Sequence, residues 1–104
     1  MFMRGETYKK WKAMEKADIC QMKEAENGCH IEVCARENDD RDVEVFISVY
    51  TATGECAYER IRKWPGAEWE VEDALKRGID QAERIAGGES GRLTCADAHG
   101  HDNE

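Results

Sequence analysis

Cysteine is the residue of this chain with the most specific potential chemistry. Its five positions are Cys20, Cys29, Cys34, Cys56 and Cys95. No two of them have the Cys-x-x-Cys spacing of a zinc ribbon or of a thioredoxin-type redox motif. The first residues lack the apolar stretch of a secretory signal, which predicts a cytoplasmic protein. An odd number of cysteines in that compartment predicts reduced thiols, not a disulfide framework.

The C-terminal tail comes closest to a metal-binding pattern. It combines thiol, imidazole and carboxylate groups that could together hold Zn²⁺ or Ni²⁺: Cys95, Asp97, His99, His101 and Asp102. We favour the simpler interpretation of a polar terminus that happens to contain two histidines. The sequence therefore predicts no metal and no cofactor.

One pair of adjacent residues, Cys29 and His30, resembles a nucleophile beside a base. Neighbouring residues of a strand point to opposite faces of the sheet, so this pair is badly placed for proton transfer. No other acid, base and nucleophile can be assembled from defined elements. We therefore predict that the protein is not an enzyme.

Acidic side chains dominate the charge of the chain. Its 104 residues include 23 acidic and 15 basic ones, for a formal net charge of -8. Residues 1–16 hold five basic and two acidic side chains, whereas the other 88 hold ten and 21. The acidic residues concentrate in two stretches, with the side chains Glu37, Asp39, Asp40 and Asp42, then Glu68, Glu70, Glu72 and Asp73. This charge argues against direct nucleic-acid binding, although acidity that only maintains solubility explains it equally well.

Length and patterning predict one domain. We assign residues 1–88 to a single α+β domain and residues 89–104 to a flexible polar tail. No apolar run is long enough to cross a membrane. A helix is predicted from Glu6 or Thr7 to Asn27, where Asn27-Gly28 would end it. Its side chains at three-to-four spacing are Trp11, Met14, Asp18, Met22 and Ala25.

The rest of the domain changes to strand periodicity and then back to a helix. Alternating apolar residues predict strands over 30–36, 42–52 and 55–64. The clearest helical stripe covers 69–86 and contains Gly78, which we expect to allow close approach to a strand. The predicted order is α-β-β-β-α, a three-stranded antiparallel sheet with two helices packed on one face.

Aromatic and arginine residues collect on the sheet face that this arrangement leaves open. They are Phe46, Tyr50, Tyr58, Trp64, Arg36, Arg60 and Arg62. Protein interfaces are enriched in these residue types, so Phe46, Tyr50, Tyr58, Arg60 and Arg62 are candidate partner contacts. Three interpretations stay open: a homodimer through this face, a different protein partner, or a platform for single-stranded nucleic acid. Lateral pairing that only stabilises the sheet is the structural alternative.

The predicted order of elements over residues 6–86 resembles that of the double-stranded-RNA-binding domain. That family grips RNA phosphates with a basic cluster at the start of its last helix. Here the same place reads Glu68-Trp69-Glu70-Val71-Glu72-Asp73, with the charge inverted. Phosphates would be repelled there, so no residue inherits an RNA-binding role.

In size, charge and architecture the chain also resembles small acidic phage and prophage proteins of the anti-CRISPR type. That resemblance implies a stoichiometric inhibitor whose acidic side chains cover a nucleic-acid-binding surface of a host complex. We therefore predict a non-enzymatic inhibitor or adaptor that binds another protein through the two acidic stretches and the aromatic face. The alternatives are a sheet-face module for single-stranded nucleic acid and a homodimeric bacterial protein of another role.

Overall fold

The fold is a four-stranded antiparallel sheet with two helices. The computed structural model describes residues 3–25 and 28–87. The elements are α1 (Glu6–Ala13), β1 (Ile19–Glu24), β2 (His30–Glu37), β3 (Val43–Tyr50), β4 (Cys56–Trp64) and α2 (Val71–Ala86). The strands pair in chain order, β1-β2-β3-β4. The α+β class is confirmed, and the predicted three strands are corrected to four.

The extra strand arises where the sequence predicted a continuous helix. The helix ends at Ala13, and Glu15 adopts a left-handed backbone conformation with φ of 50°, which no helix continues through. β1 follows and pairs with β2 at six positions. Met22, assigned to the buried stripe of that helix, is 55% exposed. The apolar residues of this segment therefore do not face the core. Pairing with β2 determines the structure of the segment instead.

The two helices lie on opposite faces of the sheet, so the prediction that both share one face is wrong. In α2, a Cβ atom added to Gly78 would lie 2.7 Å from Cγ1 of Val33. In α1, Trp11 packs in a separate cluster with Cys34 and Phe46. Val33 and Cys34 are consecutive residues of β2 and therefore point to opposite sides.

The main core lies between α2 and the sheet. It is built from small and β-branched side chains, among them Ile31, Val33, Val45, Ile47, Val49, Ala74, Ala82 and Ala86. The expected close approach at Gly78 is confirmed, because the helix sits too near β2 to leave room for a side chain there. Within the described ranges no helix combines the length and the apolar character required for a membrane crossing.

Helix α1 has only eight residues, too few to be stable alone, and charged side chains of the sheet hold both of its ends. At its N-terminus the Glu59 carboxylate accepts hydrogen bonds from the backbone N–H of Gly5, at 2.9 Å, and of Tyr8, at 3.2 Å. At its C-terminus Arg36 Nη1 donates to the carbonyl oxygen of Trp11, at 3.1 Å. An anion and a cation thus complement the positive and negative ends of the helix dipole.

Replacing Glu59 by glutamine should lower the free energy of unfolding by about 1–2 kcal/mol, because one amide oxygen cannot accept from all three donors now bound. The third donor is the Tyr50 hydroxyl, 2.7 Å from Glu59 Oε2. Burial raises the pKa of Tyr50, so this hydroxyl stays protonated and donates. Urea denaturation measures the effect, with Glu55→Gln at an exposed position as control. Equal midpoints for the two variants would show that Glu59 does not anchor α1.

A disulfide joins the first two strands, which corrects the prediction that the thiols are reduced. Cys20 of β1 and Cys34 of β2 are direct partners in the antiparallel register, with Cα atoms 4.0 Å apart. This pair could not be foreseen once residues 19–24 had been assigned to a helix. Cysteine spacing along the chain carries no information about two positions that meet across a ladder.

Candidate partner-binding surface

The two acidic stretches lie at the same end of the sheet. The turn between β2 and β3, residues 38–42, packs against the loop that follows β4. Gly66 in that loop lies so close that a Cβ atom added to it would be 1.7 Å from the carbonyl oxygen of Arg41. The Gly66 N–H also donates to Asp42 Oδ1, at 3.4 Å. The sequence predicted both stretches but not their convergence, which depends on this backbone contact.

The β2–β3 turn is organised by Asn38, which directs the neighbouring carboxylates outward. Its Oδ1 accepts from the backbone N–H of Asp40 and of Asp42, both at 2.9 Å. An asparagine side chain that bonds the backbone ahead of it fixes a tight turn. The Asp39 and Asp40 side chains are therefore not needed for these two hydrogen bonds, and both are exposed.

The second stretch surrounds the start of α2. Glu68, Glu70, Glu72 and Asp73 are all exposed. Their negative charge is favourable at the N-terminus of a helix, where unpaired backbone N–H groups carry partial positive charge. The same acidic residues therefore stabilise the start of the helix and make this part of the surface negative. We refer to both stretches together as the acidic end: Glu37, Asp39, Asp40, Asp42, Glu68, Glu70, Glu72 and Asp73.

One carboxylate of the acidic end is paired with a lysine from the segment after α1. Lys16 Nζ donates to Asp39 Oδ1 at 2.6 Å. This hydrogen bond and the lysine charge hold the pKa of Asp39 below its ordinary value. Asp39 is therefore negatively charged throughout the neutral pH range, and its exposed position leaves it open to exchange Lys16 for a cation of a partner.

Two tryptophans lie beside the acidic end. The rings of Trp64 and Trp69 have centroids 5.2 Å apart, and both side chains are half-buried. Arg77 lies 5.4 Å from the centroid of the Trp69 ring. The alternation along β4 predicts Trp64 on an open sheet face, and no sequence pattern predicts a surface role for Trp69. The Pro65-Gly66 turn between them was the available signal, since a tight turn brings its flanking residues together.

The predicted aromatic face does not exist as one surface. Phe46 and Tyr50 are 0% exposed and lie beneath α1 and the segment before it. Tyr58 is 6% exposed, and the β3 residue directly opposite it in the ladder faces α2. The β3 residues opposite Arg60 and Arg62 also face α2. A register shift in the ladder of β3 and β4 moves these three side chains to the opposite face. The five candidate contacts are therefore divided between two faces, and Phe46, Tyr50 and Tyr58 are inaccessible in this fold.

The described residues place no activated thiol in a reactive position. Cys56 is the free cysteine among them. Burial, and secondarily the charge of Glu59, raises the pKa of the Cys56 thiol to about 11, so it is protonated and weakly nucleophilic at neutral pH. Cys29 is fully buried in the α2-side core and is disulfide-bonded, so it has no thiol. The predicted tail pattern of Cys95, His99 and His101 lies outside the described residues.

Comparisons with known proteins give no relative of this chain. No protein-family model matches it, and neither does a curated protein or a solved structure. The likenesses to the double-stranded-RNA-binding domain and to the anti-CRISPR type stay predictions. The observed order, α-β-β-β-β-α, has one strand more than the order on which the first likeness was based.

Proposed function

We propose that this protein is a non-enzymatic inhibitor or adaptor that docks its acidic end on a basic surface of another protein. The observation that supports this most directly is the contact of Gly66 with Arg41 and Asp42, which gathers the two acidic stretches at one end of the sheet. Scattered acidic residues only keep a protein soluble, whereas a concentrated group produces a directional field.

The chemistry of such a surface fits a partner that handles nucleic acid. Carboxylates presented together can occupy the lysine and arginine sites that otherwise hold phosphates. This complementarity acts mainly on the association rate and on specificity, and salt weakens it. The Trp64–Trp69 pair beside the carboxylates supplies aromatic area of the kind that dominates binding energy at interfaces. An inhibitor of the anti-CRISPR type is the narrowest form of this proposal.

Docking through the sheet is the less favoured alternative. A single-stranded nucleic acid would need exposed rings on which to stack, and Phe46 and Tyr58 are buried. A homodimer formed face to face would meet α1 on one side of the sheet and α2 on the other. Neither arrangement has an open aromatic surface in the described part of the chain.

Charge reversal at the acidic end tests the proposal. Asp39→Lys with Asp40→Lys, and separately Glu70→Lys with Glu72→Lys, are compared with a control that carries Glu24→Lys and Glu55→Lys. The control residues are exposed and lie at the opposite end of the sheet, so the change in net charge is matched. Each immobilised variant is incubated with a lysate of the native host, and bound proteins are eluted with a salt gradient and identified by mass spectrometry.

We expect wild type and control to retain the same partner, released by raised salt. Both acidic-end variants should lose it, with an association rate reduced about tenfold or more once the partner is purified. Retention by an acidic-end variant at the wild-type salt concentration would contradict the proposal. So would a partner lost equally from the control, because net charge alone would then explain binding.

A further inference from the structure

Three potential metal ligands converge where α1, β1 and β2 meet. Asp18, Cys20 and Cys34 each offer a donor atom, and these atoms all lie within 4.8 Å of one another. Asp18 comes just before β1, Cys20 belongs to β1, and Cys34 lies opposite it on β2. Cys20 is exposed, Asp18 is half-buried and Cys34 is buried. The cluster is therefore open to solvent on one side and closed on the other.

The donor set is of a kind that binds zinc. Tetrahedral Zn²⁺ takes thiolates at about 2.3 Å and carboxylate oxygens at about 2.0–2.2 Å, which separates the donors by about 3.5–3.8 Å. The carboxylate already lies within 4.8 Å of both sulfurs, and the two sulfurs, which are bonded to each other, must separate before they can share an ion. Zinc is bound by thiolates, and a disulfide contains none, so ligation and the disulfide exclude each other.

The carboxylate is oriented by its neighbour. Trp11 Nε1–H donates to Asp18 Oδ2 at 2.6 Å, and the indole itself is buried. A hydrogen bond to one oxygen of a ligating carboxylate fixes the direction of the other, as outer groups commonly do around bound metals. A disulfide alone makes no use of a carboxylate held in this way. This is the observation that distinguishes the cluster from a simple cross-strand link.

We propose that reduction of the Cys20–Cys34 disulfide converts this cluster into a Zn²⁺ site formed by two thiolates, the Asp18 carboxylate and a water molecule. The reductant is a dithiol. Its thiolate attacks the sulfur of exposed Cys20, and Cys34 leaves; the second thiol of the reductant then releases Cys20. The disulfide gains two electrons and two protons, and the reductant becomes a disulfide. Zn²⁺ binding then releases the two thiol protons to solvent and changes no oxidation state.

The location gives the site a specific structural role. β1 is an edge strand that pairs only with β2 in the described sheet, and Cys20–Cys34 is its covalent link to that neighbour. An ion bound by the same residues would replace that link when the disulfide is reduced. The edge strand would thus remain attached in both redox states, provided that zinc is present in the reduced one.

Cobalt titration under anaerobic conditions tests the site on the full chain. Co²⁺ bound by thiolates in a tetrahedral site gives charge-transfer and d–d absorption bands that Zn²⁺ then abolishes. We expect these bands in reduced wild type and in Cys56→Ser, but not in the oxidised protein or in Cys20→Ser with Cys34→Ser. Asp18→Asn should shift the d–d bands and weaken binding at least about tenfold, and Trp11→Phe should weaken it about 10–100-fold.

Two results would overturn the site. One is the absence of thiolate–cobalt bands from reduced wild type. The other is equal binding by the Cys20→Ser, Cys34→Ser variant, which would place the ion on other cysteines. Circular dichroism establishes whether each variant is folded. If the double variant is unfolded, Asp18→Asn decides, because cobalt bands identical to those of wild type would exclude the carboxylate as a ligand.

Discussion

Replacing Arg36 by alanine should lower the free energy of unfolding by about 3–5 kcal/mol, the cost of breaking a buried ion pair from one side. Arg36 is 1% exposed although it carries a full charge. Its Nε donates to Glu44 Oε1 at 2.9 Å, and its guanidinium lies 3.6 Å from the centroid of the Trp11 ring. Alanine would leave the Glu44 carboxylate and the Trp11 carbonyl without this donor and would open a cavity beneath α1.

Urea or thermal denaturation measures the loss of stability, which is compared with that of two further variants. Arg36→Lys keeps the charge but not the planar fork, so it should retain only part of the stability. Arg77→Ala removes an exposed arginine near Trp69 and should cost about 1 kcal/mol or less. Arg36→Ala should also cost less in a Glu44→Ala background, because the pair is coupled. A loss no larger than that of Arg77→Ala would show that this ion pair does not hold α1 on the sheet.

The elements with a strong and regular apolar period were predictable from the sequence. Helix α2 spans Val71–Ala86 where 69–86 was predicted, and β2, β3 and β4 lie where alternation indicated strands. Each of these buries one face against a shared core, so burial and pattern agree. β1 differs because all six of its residues are exposed. A strand without a buried face leaves no alternation to detect, and the apolar spacing of Trp11, Met14 and Met22 then imitated a helix.

The placement of side chains on the two faces could not be predicted, because it depends on contacts between distant residues. The short α1 covers Phe46 only because Glu59 and Arg36 hold its ends. The irregular register near Tyr50 displaces the alternation of β4 by one residue, which inverts its faces. The acidic residues themselves were evident from composition. Their proximity was not, since it depends on a glycine whose role appears only when two loops meet.

Replacing that glycine, Gly66, by alanine should lower the free energy of unfolding by about 3 kcal/mol or more, at the upper end of the cost of overpacking. The new Cβ would lie 1.7 Å from the carbonyl oxygen of Arg41 and 2.9 Å from its carbonyl carbon. Both are backbone atoms, so no side-chain rotation relieves the clash and the β2–β3 turn must move. Gly87→Ala is the matched control, because its added Cβ would be no nearer than 3.4 Å to any neighbour.

The same substitution tests the stability of the fold and the proposed partner binding in separate measurements. Denaturation of Gly66→Ala and Gly87→Ala should show a large loss for the first and little change for the second. Amide chemical shifts should change most at Asp40, Arg41 and Asp42, where the turn is displaced. If the acidic end acts as one surface, folded Gly66→Ala should also bind the partner more weakly, with every carboxylate still present. If a variant with a displaced turn keeps wild-type affinity for the partner, binding depends on the charge of the carboxylates and not on how they are arranged. The contact at Gly66 would then contribute to stability alone.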